Sequence, residues 1–289
     1  MRSNRPARRI AGAGAVLCAL LAWPAGVQAE SGRLVLDSDL SLGYDSNVSN
    51  AEHDNDIRSS RFAIAGLRVD NTTRISDQAS LLLRGGLQAE AHDDLDGLNN
   101  GKFTGLVRFI YRPEGFHDQA WSFWGSAARW EFSSRLRDSS EYRVGIFLVD
   151  RFTPGLSGRL SVSASRRQAD DSNVFDLGSA SVGAGLDWAV TPVLTVYGST
   201  QFHDGDVVST ATASPGILAA ADARAPDDVL RNRIAYRLDA ETWIHTLGFN
   251  YGLSRTLSLD AQTQYVDADA VGGNNYQRWI AIGGVLARF

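Results

Sequence analysis

From Leu34 onward, apolar and polar side chains alternate with a period of two. Leu34, Leu36, Leu40, Leu42 and Tyr44 share one parity, while Asp37, Asp39, Ser41 and Asp45 hold the other. The pattern returns with Leu81, Leu83, Leu87 and Ala89 against Ser80, Arg84, Gln88 and Glu90, and with Phe103, Val107, Phe109 and Tyr111 against Lys102, Thr104, Arg108 and Arg112. It recurs in Tyr142, Val144, Ile146 and Leu148, in Leu160, Val162 and Ala164, in Val182, Ala184, Leu186 and Trp188, and in Leu194, Val196 and Phe202. Leu247, Phe249, Tyr251 and Leu253 follow, then Leu257, Leu259, Ala261 and Tyr265, and finally Trp279, Ala281, Gly283, Val285, Ala287 and Phe289. Segments of about ten residues with one apolar parity are what a strand needs to cross a bilayer with every second side chain in lipid. Two segments are less regular. Residues 61–73 carry Phe62 and Ile64 on one parity and Leu67 and Val69 on the other, which predicts a bulge that switches faces. Residues 121–132 have aromatics on both parities and give no orientation. Counting both, the pattern predicts about twelve strands of an all-β, antiparallel, up-and-down transmembrane barrel.

The connections agree. Short turn signals stand at Ser76-Asp77, 113–119, Pro154-Gly155, Thr191-Pro192 and Ser254-Arg255. Between them lie longer polar stretches at 47–58, 92–101, 133–141, 168–176, 203–240 and 267–275. An even-stranded barrel with both ends in the periplasm has this alternation of short inner and long outer connections. The stretch at 203–240 is the longest, small and polar at 209–226 and then rich in arginine at Arg231, Arg233 and Arg237. It reads as an extended hairpin above the membrane, a loop folded into the pore, or an unstructured tip.

Ahead of the first strand, Arg2, Arg5, Arg8 and Arg9 precede an apolar stretch and the small-x-small triplet Val27-Gln28-Ala29, so residues 1–29 read as a secretory signal. The barrel domain is then 30–289, with no cysteine, since the single one, Cys18, lies in the signal. Cysteine metal sites and disulfides are thereby excluded. Without the signal, 24 basic side chains face 33 acidic ones, a balance of −9 that argues against nucleic acid as a partner.

An arginine facing mid-bilayer lipid costs about 2–4 kcal/mol, so the arginines mark the lumen. Arg84, Arg108, Arg112, Arg129, Arg143, Arg151, Arg159 and Arg167 fall on successive strands and predict one basic lumen wall, opposed by Asp37, Asp39, Asp187 and Asp260. Fixed charge in a narrow wet pore concentrates counter-ions, so the expected activity is a narrow conduit for small anionic solutes. The competing reading has the same arginines pairing with acids to brace a partly filled interior, since twelve strands lie between filled and open barrels. A lipid hydrolase is the third class. Neither His53, His92, His117, His203 nor His245 has a serine two residues away, so no catalytic residue is assigned. His203-Asp204-Gly205-Asp206 lacks the spaced acids of a calcium loop, and no metal or cofactor is expected. Trp130, Phe132, Trp188, Tyr251, Tyr265 and Trp279 are expected in interfacial girdles.

The whole segment after the signal resembles bacterial outer-membrane β-barrel proteins, in which a last strand such as Trp279 to Phe289 implies recognition by the barrel-assembly machinery. That resemblance implies residence in the outer membrane of a Gram-negative bacterium, in contact with its lipid. More locally, Leu42-Gly43-Tyr44-Asp45-Ser46-Asn47-Val48 is similar to a stretch in the barrel domains of surface lipoprotein assembly modifiers, which implies a role in lipoprotein export.

Overall fold

The computed structural model describes residues 32–113 and 119–289. The segment read as a signal, 1–29, and His117 lie outside the described residues. The chain runs through β1 (Arg33–Asp45), β2 (Ser60–Arg74), β3 (Ala79–His92), β4 (Asn100–Tyr111), β5 (Gln119–Phe132) and β6 (Ser139–Thr153). It continues through β7 (Leu156–Ala169), β8 (Leu177–Ala189), β9 (Leu194–Ala211), a short helix α1 (Pro215–Ala220), β10 (Ala223–Pro226), β11 (Ile234–Gly252), β12 (Leu257–Ala270) and β13 (Tyr276–Arg288). Each of the twelve strands other than β10 pairs antiparallel with two neighbours in the ring, and β10 adds only to the outer end of β11. β9 pairs with β11 and β13 returns to β1, so twelve strands close into a barrel with no free edge. Closure satisfies every ladder N–H and C=O within the wall, the condition for a sheet to live in hydrocarbon. The seam is tied at its end by Phe289, whose N–H donates to the Leu36 carbonyl at 2.8 Å.

The apolar parity is the exterior. Leu34, Leu42, Val162 and Leu247 are among the most exposed large side chains, and registers place such residues beside one another around the ring. Aromatics gather at both ends of this face. Near the long connections Phe202, Trp243, His245, Tyr265 and Trp279 stand side by side on β9, β11, β12 and β13, with centroids 4.7–6.4 Å apart. Near the short turns Trp188 and Tyr251 are exposed on the same face. These are girdle positions.

Two expectations are corrected. The registers of β2 with β1 and with β3 run without interruption, so no bulge lies in 61–73. Phe62 and Ile64 instead face the lumen, and Phe62 fills the space beside Gly43, where a Cβ would sit 2.2 Å from its ring. The one register shift in the wall falls between Arg151 and Thr153, against β7. In β5 the outward residues are Trp121, Phe123 and Ala127, which places Trp130 and Phe132 inside the lumen rather than in a girdle. Of the readings open for the long connection, the extended hairpin is the one found: β9 and β11 continue their pairing to Ala211 and Ile234, well past Gly205, the last β9 residue paired with β8.

Beyond that point the connection folds as a small domain would. Pro215 occupies the first turn of α1 and Ser214 caps it, accepting from Ile217 N–H. Ile217, Tyr236, Leu238, Ala211, Ala240 and Ala270 form one buried cluster. Val174, Phe175, Ala223 and Ala235 form a second. The driest packing in the described chain therefore lies at the outer end, the end with the long connections.

Candidate lumen site

Inward parity collects the charged residues. On the β3–β7 wall the lumen receives Arg84 from β3, Lys102 and Arg108 from β4, Arg143 from β6, and Arg159 and Arg167 from β7. They divide by partner. Arg84 makes a two-pronged bond to Asp70, Nε to Oδ1 at 2.7 Å and Nη2 to Oδ2 at 2.6 Å. Arg143 is held by Glu141 at 2.7 Å, and Asp37 is shared by Arg68 at 2.9 Å and Arg288 at 2.7 Å. Lys102, Arg108, Arg159 and Arg167 have no carboxylate partner among the described residues.

Aromatic rings support three of those four. Lys102 Nζ sits 4.1 Å from the centre of the Trp130 ring, and the Arg167 guanidinium lies over Trp130 and Phe132 at 5.4 and 5.6 Å. Arg108 lies 4.8 Å from the Phe147 ring, and its buried Nε has no hydrogen-bond partner. A ring face attracts a cation without neutralising it, and Arg167 is further held by donating to Ser139 Oγ at 2.7 Å and to the Arg137 carbonyl at 3.2 Å. Arg159 is exposed within the lumen, and Arg84 and Arg159 both act electrostatically on Arg108. Beside these cations, on β7 and the adjoining β8, the lumen is lined with small hydroxyls. Ser163 and Ser181 are joined at 2.7 Å and Ser165 and Ser179 at 2.8 Å, with Gly183 and Gly185 below them. Recesses of about 340 Å³ at the short-turn mouth, bounded by Asp37, Asp39, Arg68 and Arg288, and of about 190 Å³ beside Arg84, Gln88 and Lys102 open along this interior.

The remaining arginines lie elsewhere. Arg129 is a correction: register with Phe103 and Ser140 turns it to the exterior at the outer rim, where it binds Asp170 at 2.8 and 2.5 Å. Near the interface the cost of an outward arginine falls to about 0–1 kcal/mol, and the Asp170 bond meets it. Arg112 stands exposed just past the end of β4, its N–H donating to Gln78 at 2.7 Å. Arg151 is exposed at the short-turn rim. In the long connection Arg231 is exposed, Arg233 binds Asp56 at 2.9 Å, and Arg237 donates to the carbonyls of Asn173 and Asp176 at 3.1 and 2.8 Å.

One constellation escapes any search along the chain. Pairing of β2 with β3 sets Ser60 Oγ 3.0 Å from His92 Nδ1, and His92 Nε2 lies 2.9 Å from Glu90 Oε1. The spacing is that of a nucleophile, base and orienting acid. Access decides against that use: Ser60 is 3% exposed and His92 9%, with the Phe62 ring tilted against the imidazole at 5.6 Å. A hydroxyl without room for an acyl carbon cannot attack one, so the three residues act as a polar tie at the hairpin rim. His203 is similarly occupied, 3.2 Å from Gln201, and its neighbour Asp204 points to the other face.

Residues 42–48 also have structural work. Asp45 is bound by Arg278, and Asn47 donates to the carbonyls of Ala51 at 2.8 Å and Gln277 at 3.0 Å, fixing the turn out of β1.

No protein-family model and no curated protein matches the chain. Solved structures do. An outer membrane channel from Pseudomonas putida F1 is similar with a TM-score of 0.59 at 12% identity, covering 90% of this chain and 96% of that one. The NanC porin gives 0.49 at 10% identity over 86% and 98% of the two chains, and the outer membrane channel DcaP of Acinetobacter baumannii 0.46 at 8% over 90% and 98%. At these identities the likeness is one of fold, and the fold is that of an outer-membrane β-barrel.

Proposed function

We propose that the protein is a narrow, porin-like channel in the outer membrane of a Gram-negative bacterium and that it prefers small anionic solutes. The observation that carries this reading is the set of cations left without carboxylate partners on one lumen wall: Lys102, Arg108, Arg159 and Arg167. Charge that is already paired has no field to spare, whereas an unpaired guanidinium in a narrow, low-dielectric passage attracts counter-ions and offers them donors in a planar fork. The hydroxyls beside them on β7 and β8 add donors and acceptors without charge. The fold shared with the Pseudomonas putida channel supports a conduit.

Its placement in lipid follows from the exposed apolar exterior and the two aromatic girdles. Insertion by the barrel-assembly machinery, with the Trp279 to Phe289 strand as its signal, belongs to the same reading. The test is ionic current through purified protein in a planar bilayer under a salt gradient. Anion-selective current is expected, and Arg108→Gln with Arg159→Gln should move the reversal potential toward cations. An unmoved reversal potential removes the selectivity argument.

A further inference from the structure

The ring of strands fixes where each connection lies around the outer mouth. Among the twelve wall strands, the connection from β9 to β11 and the connection from β3 to β4 stand six strands apart in either direction. They are diametrically opposite, yet they touch. A Cβ built on Gly97, in the β3–β4 connection, would lie 2.4 Å from Val229 Cγ2 and 3.2 Å from Val229 Cβ. The long connection therefore crosses the mouth from one rim to the other.

It is fastened along the way. On one side Arg137, from the β5–β6 connection, donates to Asp227 at 2.7 Å and to Asp228 at 2.9 Å, and Ser134 Oγ lies 2.7 Å from both Asp228 oxygens. On the other side Asp56, from the β1–β2 connection, accepts from Thr212 N–H at 3.0 Å, Thr212 Oγ1 at 2.8 Å and Arg233 Nε at 2.9 Å. Asp227 is fully enclosed and also accepts from Thr210 and from the N–H groups of Val229 and Leu230.

We infer that this connection is a latched roof over the pore, which sets its outer opening and must be released before solute passes; the inference rests on the channel reading. The two kinds of fastening differ in strength. Asp227 belongs to the roof's own fold, its carboxylate shaping the turn at 227–230. Asp228 is 41% exposed and held only by Ser134 and Arg137. It is the exchangeable half of the latch, and its partners form a cradle fitted to a carboxylate.

The test uses the full barrel in planar bilayers. Asp228→Asn, Ser134→Ala and Arg137→Met together remove the contacts from the β5–β6 connection to 227–228, while Asp227 keeps its bonds from Thr210, Val229 and Leu230. This latch-free variant should pass about tenfold more current than the native protein, the ratio expected when a mostly closed equilibrium is moved toward open. Into the same background Gly97→Cys and Val229→Cys are introduced. Their spacing is near the ~3.5–4.5 Å that a disulfide needs between Cβ atoms, and the only native cysteine, Cys18, precedes the barrel. Oxidation should bring the current back down about tenfold and reductant should restore it. Equal current in oxidised and reduced protein overturns the roof and leaves the channel reading intact. Silence in every form, the latch-free one included, overturns the channel reading and the roof with it.

Discussion

The roof and the barrel wall are made by the same chain under opposite rules. In the roof and the β7–β8 connection packed against it, Leu238, Tyr236 and Val174 are enclosed and charges meet in pairs shielded from water, as in any water-soluble domain. In the wall the large apolar side chains point outward and stay exposed, while in the lumen Lys102, Arg108, Arg159 and Arg167 have no ion-pair partner among the described residues. Water supplies the reason. The roof sits in it and gains by excluding it, at roughly 25 cal/mol for each Å² of apolar surface. The wall sits in lipid, where burying one apolar side chain against another gains little, and closure of the hydrogen-bond ladder holds it together. The two regions should therefore fail independently.

The largest expected effect is in the roof. Arg137→Met leaves Asp227 enclosed without its guanidinium, at a cost of about 3–5 kcal/mol. Hydrogen exchange should report this as lost protection across 205–240, with the amides of β2 to β7 unchanged. Parallel loss in the wall would show that the regions are one cooperative unit. Next comes the lipid face. Val162→Arg should cost about 2–4 kcal/mol in vesicle-based unfolding, whereas Ser163→Arg, one residue along and facing the lumen, should cost under about 1 kcal/mol. Equal penalties would mean that the parity has been assigned to the wrong faces.

Charge inside the lumen gives a smaller, sharper comparison. Removing the Arg84–Asp70 pair whole, as Arg84→Gln with Asp70→Asn, leaves net charge unchanged and should leave the reversal potential where it is. Arg108→Gln alone should shift it toward cations. If the neutral double substitution shifts it as far, pairing does not decide which arginines select.

The smallest effect is set by pH. Burial opposes ionisation of Asp56, but the hydrogen bonds from Thr212 and Arg233 outweigh it and hold the carboxyl below its ordinary value of 3.8. A depressed carboxyl stabilises the fold above the unfolded value and loses that contribution as pH falls through the folded one. Roof protection should thus be flat above 3.8 and decline only below it, and Asp56→Asn should abolish that decline. A decline at higher pH would assign the transition to another group.

The wall was legible because lipid imposes one rule at every position. Leu34 to Tyr44 and Trp279 to Ala287 could be assigned to a face without knowing any neighbour. Where the rule weakens, so did the reading. Phe62 is apolar yet faces the lumen, because Gly43 across the pair leaves room for its ring, and cross-strand fit is invisible along one strand. Arg129 is charged yet faces out, because it sits at the rim where lipid ends and Asp170 from a later connection reaches it. Trp130 and Phe132 looked like girdle residues, but they serve as platforms for Lys102 and Arg167 from β4 and β7. The roof was hardest to foresee. Its residues 209–226 carry little periodic signal, and its order comes from Arg137, Asp56 and Gly97 on connections far away in sequence.

The proposed function joins these regions as a basic wall with unpaired cations beneath a removable roof. The sign of the reversal potential, measured for the latch-free protein across a bilayer with unequal salt on its two sides, tests that most directly. Anions should carry most of the current. A cation-selective current, or none, would contradict the account.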